Sequence, residues 1–86
     1  MLHENDIVQL KHKVPANNPA AWPGVPSTDL AAGAVGTIVM VYKTNSTSPA
    51  YEVEFVDHDG HTLALLNLKE DDIESVHYTK TEVWAI

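Results

Sequence analysis

The run Tyr51-Glu52-Val53-Glu54-Phe55-Val56-Asp57-His58-Asp59-Gly60-His61-Thr62-Leu63-Ala64-Leu65-Leu66-Asn67-Leu68 decides the fold. Tyr51, Val53 and Phe55 alternate with Glu52 and Glu54, the period of two that gives a strand one dry face and one wet face. Asp57 to Gly60 separates this strand from a second apolar run. An Asp-Gly step in that setting marks a hairpin, because glycine enters φ > 0 without steric cost. The return run, Thr62 to Leu68, is apolar at nearly every position, as expected of a strand covered on both faces or lying near the closure of a small barrel.

Working outward, Val35 to Tyr42 is rich in β-branched residues and predicts another strand. Gly33 and Gly36 lead into it and point to a tight turn and to a bulge or close backbone approach. Asp6 to Leu10 predicts a short first strand. Lys69 to Asp72 reads as a turn or a single helical turn, and Ile73 to Val76 as a last short strand. No window carries a sustained 3.6-residue apolar stripe. The expected architecture is therefore all-β, a small barrel of about five short antiparallel strands spanning residues 1–76. A long proline-rich loop over 14–33 follows the first strand, and residues 77–86 form a further strand or arm. That loop holds Pro15, Pro19, Pro23, Pro26 and Trp22. Connections of such length are usually functional or disordered.

Composition removes several function classes. The 86 residues include five lysines and no arginine against 12 Asp+Glu, for a net charge of −7. Such a balance disfavours nucleic acid, whose binding rests on neutralised phosphates, and anionic membrane surfaces. With no cysteine, disulfides, thiolate metal sites and cysteine nucleophiles are excluded. No apolar run reaches the roughly 20 residues of a membrane span. The opening Met1 to Asp6 lacks the basic and apolar regions of a signal peptide, so a cytoplasmic location is expected.

The motif Gly33-Ala34-Val35-Gly36-Thr37-Ile38-Val39, followed by Tyr51-Glu52-Val53-Glu54-Phe55-Val56-Asp57 and then Asp59-Gly60-His61-Thr62, resembles a small uncharacterised bacterial family of SH3-like barrels. Its shared pattern is G-x-x-G-T-V-V…Y-E-V-E-F-x-D-x-x-G-x-T, and the resemblance covers roughly residues 5–76. It implies an SH3-like fold and a gene context beside toxin-like or nuclease-like genes, hence an antitoxin, immunity or accessory role. A more distant similarity is to the SH3-like subunit and accessory proteins of nitrile hydratases, which implies an accessory barrel of a metalloenzyme as the alternative. The family brings no catalytic residue to carry over, and the 14–33 loop departs from it in length and proline content.

Chemistry along the chain is sparse. Asp57, His58, Asp59 and His61 could offer ligands to a cation, but the spacing fits turn chemistry and matches no EF-hand. His3, His12 and His77 match no nucleophile signature. Glu52 and Glu54 share a strand face, which reads as a solvated face or as an acidic surface for a basic partner. Lys11-His12-Lys13 with Tyr42, Tyr51 and Phe55 could be drawn as a nucleic-acid face, against the charge balance. Trp22, set between Ala-Ala and Pro-Gly, is either a plug over the barrel end or an anchor for a partner, and Trp84 poses the same choice. The expectation is a non-enzymatic module that needs no cofactor or metal. It binds a protein partner through Trp22, Glu52, Glu54 and Trp84.

Overall fold

The computed structural model describes residues 2–25, 27–43 and 48–76. Its elements are β1 (Ile7–Leu10), β2 (Val35–Tyr42), β3 (Ala50–Val56), β4 (Thr62–Lys69), a 3-10 turn (Glu70–Asp72) and β5 (Ile73–Ser75). Each lies where the residue pattern places it. The strands form one antiparallel sheet in the order β4-β3-β2-β1-β5, so the last strand returns to pair with the first. The arm expected over 77–86, with Trp84, lies outside the described residues.

One side of the sheet is the core. Val8, Leu10, Ile38, Tyr51, Val53, Phe55, Ala64, Leu66, Leu68 and Ile73 are buried together, joined by Val14 and Leu30 from the β1–β2 connection. In β3 the alternation is strict, with Tyr51, Val53 and Phe55 buried and Glu52 and Glu54 half-buried on the other side. Two register shifts, between Ile38 and Met40 and between Phe55 and Val56, interrupt the ladders. Bulges of this kind increase local twist and let a short sheet curl around its core.

The turns follow their residues. Asp57 N–H donates to the His61 carbonyl, the Asp57 carbonyl accepts Gly60 N–H at 3.0 Å, and Gly60 sits at φ +87. This is a type I turn closed by a left-handed glycine. Gly36 answers a different need: a Cβ there would lie 2.8 Å from Phe55 Cε2 and 2.9 Å from the Glu54 carbonyl oxygen.

The β1–β2 connection is not the structureless loop its length suggests. Val14 and Leu30 exchange both backbone hydrogen bonds at 2.8 Å and close its base. Beyond them the prolines seat successive turns. Asn18 to Ala21 has Pro19 at its second position, and Trp22 to Val25 has Pro23 second and Gly24 third at φ +78. Proline then glycine at those two places is the signature of a type II turn. Between these turns the chain crosses the free edge of β4. Trp22 N–H donates to the Leu65 carbonyl at 3.1 Å, and Asn67 N–H donates to the Ala20 carbonyl at 3.0 Å. The excursion thus covers one sheet edge with the chain's own backbone, which protects an edge from pairing with another chain.

Candidate functional site

Alternation places side chains on faces, and the registers place the faces together. On the side of the sheet away from the core, Thr37 stands opposite Glu54 and Met40 opposite Glu52. Across the other flank of β3, Glu52 faces Asn67 and Glu54 faces Leu65. Ala21 pairs with the buried Leu66, so its neighbour Trp22 falls beside Leu65, on the same outer side as the two glutamates. Trp22 and Glu54 are therefore two strand spacings apart, about 10 Å. Two groups of residues singled out separately in the sequence, Trp22 and the pair Glu52/Glu54, share one surface.

That surface also gathers the exposed apolar side chains. Five large hydrophobics are exposed among the described residues: Val35 at 48%, Val56 at 46%, Met40 at 43%, Val39 at 39% and Trp22 at 36%. Phe55 is buried, so Val56 turns outward. Val35 and Val56 lie two residues beyond the Thr37–Glu54 pair, on β2 and β3 respectively. The shift at Val39 breaks the alternation of β2, leaving Val39 and Met40 both exposed after the buried Ile38. All five lie on the outer face. Sequence reasoning missed Val35, Val39 and Met40 because β2 reads as a largely apolar run that hides which residues turn out, and missed Val56 because it stands at the end of β3 against the hairpin. The unbroken Ile38-Val39-Met40-Val41 run, too long in apolar residues for a half-buried strand, is a signal that could have found Val39 and Met40.

The glutamates are held in place. Thr62 Oγ1 donates to Glu54 Oε2 at 2.9 Å. Burial pushes the Tyr42 phenol pKa up, as do the charge and the hydrogen-bond acceptor of Glu52. The core tyrosine is separate from this face. Tyr51 Oη donates to Glu70 Oε1 at 2.8 Å. Burial foremost, then the Glu70 carboxylate, pushes the Tyr51 phenol up to about 12 against a backbone hydrogen bond from Leu2 that lowers it. Tyr51 and Phe55 are core residues, so neither joins Lys11 to Lys13 in a nucleic-acid face.

The remaining polar candidates have local partners. Asp57, Asp59 and His61 bring ligand atoms within 4.8 Å of one another. Asp57 Oδ1, however, accepts the N–H of both Asp59 and His61 at 2.9 Å, which is the hydrogen bonding of the turn itself. His12, isolated in sequence, meets Asp72 across the fold: Nε2 lies 3.0 Å from Asp72 Oδ1, and Nδ1 lies 3.2 Å from the Lys13 carbonyl oxygen. With acceptors at both ring nitrogens the protonated ring is favoured. The Asp72 hydrogen bond first, then that to Lys13, raises the His12 pKa against some desolvation. Burial draws the Asp72 carboxyl upward, but hydrogen bonds from Lys69 N–H and from His12 outweigh it and leave it below the ordinary value.

Two of the larger recesses lined by described residues open at the surface. One of about 530 Å³ is lined by Leu2, His3, Glu4, Val41 and Lys43, the other of about 640 Å³ by Lys13, Asp29, Leu30, Ala31 and Ala32. Both face solvent broadly, unlike the clefts that bury most of a small ligand. Among the described residues no helix is long and apolar enough to cross a membrane. No curated protein and no solved structure matches the chain significantly. The one comparison that places it is with a family model covering residues 4–75, and on that match the chain belongs to the family described as a domain of unknown function, DUF4926.

Proposed function

We propose that this protein is a non-catalytic, cytoplasmic protein-binding module on an SH3-like barrel, of an antitoxin, immunity or accessory kind, whose partner is the product of a neighbouring gene. The observation that carries the reading is the gathering of all five exposed large hydrophobics on one sheet face around Glu52 and Glu54. Exposed apolar side chains gathered on one face among polar groups mark interaction sites more than singly scattered ones do. The barrel reading is supported by the order of elements: a short strand, a long excursion, the meander β2–β3–β4, a 3-10 turn, and a last strand returning to the first.

Trp22 is the anchor of this surface. Its backbone is tied to β4, and Pro19 and Pro23 restrict the turns on either side, so little freedom is lost when a partner covers the ring. Trp22→Ala leaves unfolding cooperative and weakens partner binding by about 2 kcal/mol or more, roughly 30-fold in Kd. Biolayer interferometry with the neighbouring gene product, alongside thermal denaturation, measures both. If binding falls only with the folded fraction, Trp22 is part of the core packing and the surface reading loses its anchor.

A further inference from the structure

We infer that the outer face of β2 and β3 receives a cationic amphipathic helix of the partner, its apolar stripe on Val35, Val39, Met40 and Val56 and its lysines or arginines against Glu52 and Glu54. This rests on the protein-binding reading and names the chemistry of what is bound. Three features of the fold select that occupant. The edge of β4, which borders this face, is already paired with the backbone of 20–22, so a partner on this side of the sheet meets side chains rather than a free strand edge. The outward side chains of β2 from Val35 to Met40, apolar apart from Thr37, run about 16 Å, the length of about three helical turns. The row is flanked by Glu52 and Glu54 in a chain of net charge −7. A second copy of this chain would set acid against acid and pay for like-charge contact, whereas a basic stripe meets its complement.

The test uses the whole protein and a synthetic helical peptide of about 14 residues, with leucines at i, i+3, i+4 and i+7 and lysines elsewhere. A scrambled peptide of the same composition has no stripe. Backbone NMR titration should show perturbations concentrated on β2 and β3 for the striped peptide, with at least tenfold weaker binding of the scrambled one. Met40→Ser should weaken the striped peptide about fivefold at any salt concentration. Glu52→Lys with Glu54→Lys should weaken it tenfold or more at low salt and much less at high salt. Circular dichroism of each variant verifies its fold.

Equal binding of the two peptides would reduce the effect to bulk charge and overturn the inference. So would perturbations away from β2 and β3, or a concentration-dependent dimer, seen by sedimentation, that Met40→Ser abolishes. Competition separates this inference from the reading beneath it. If the neighbouring gene product binds in a Trp22-dependent way but the striped peptide neither binds nor displaces it, the helix falls and the protein-binding function stands. If the gene product does not bind at all, the function itself falls.

Discussion

Gly36 and Tyr51 show how single residues set the core. The ring of Phe55 occupies the space a side chain at position 36 would need, and the Glu54 carbonyl stands as close. A ring can move but a sheet carbonyl cannot without breaking its ladder. Gly36→Ala should therefore cost about 1–3 kcal/mol, as overpacking does, read from urea denaturation. In a Phe55→Leu background the same change should cost less, since part of the clash is gone; an equal cost would assign the strain to the backbone alone. Tyr51 joins β3 to the turn before β5 through its bond to Glu70. Tyr51→Phe should cost about 1.5–3 kcal/mol, the range for a hydrogen bond to a charged group. The Tyr51 phenol is raised from 10.0 to about 12 in the fold. Its contribution is thus complete below pH 10 and lost as pH rises toward 12, so wild type and Tyr51→Phe should converge in stability over that range.

At the scale of elements, the 3-10 turn is fastened to the end of β1. Asp72 accepts from Lys69 N–H at 2.9 Å and meets His12 through its carboxylate, while its carbonyl accepts Lys11 N–H at 3.0 Å. The imidazole has a folded pKa above 6.5, so its share of stability is present below pH 6.5 and fades as pH rises through the raised value. The carboxyl has a folded pKa below 3.8, so its share is present above pH 3.8 and fades as pH falls through the lowered value. The pair contributes most between those limits. His12→Ala should lower the melting temperature clearly at pH 5.5 and much less at pH 8.5. An equal drop at both values would mean that the charge on the ring contributes nothing. The β1–β2 excursion is the other fastening, tied at its base by Val14 and Leu30 and at its crossing by Leu65 and Asn67.

For the whole molecule, charge is the governing quantity. A net charge of −7 on 86 residues repels itself in the compact state. The ion pairs between described residues that oppose it all use histidine, at exposed or partly exposed positions. At pH 8, raising sodium chloride from about 10 mM to about 500 mM should therefore raise the melting temperature, because the Debye length shrinks from about 30 Å to a few ångströms. A fall in calorimetric melting temperature over that range would mean that attractive pairs dominate. In the proposed binding function, the same net charge favours a basic partner surface over nucleic acid, whose phosphates five lysines and no arginine are poorly matched to neutralise.

The strands and turns were legible because their causes are local. The Tyr51–Phe55 alternation and the Asp57–Gly60 hairpin each act between residues a few positions apart, and each is in the structure where its pattern puts it. Gly33 was legible as a turn for the same reason, while the close approach read at Gly36 is made to Phe55 and Glu54 on the neighbouring strand, which only the fold identifies. The candidate site was legible only in pieces, as Trp22 in one segment and Glu52 with Glu54 in another. Their meeting depends on the 14–33 excursion crossing to β4, and on the strand order that sets β4 beside β3. The outward turn of Val39 and Met40 depends on a register shift against β3, and the His12–Asp72 pair on β5 returning to β1. Which residues form strands follows from side-chain period and backbone preference along the chain. Which side chains become neighbours follows from how the sheet curls and where its edges are covered, and only the folded chain decides that.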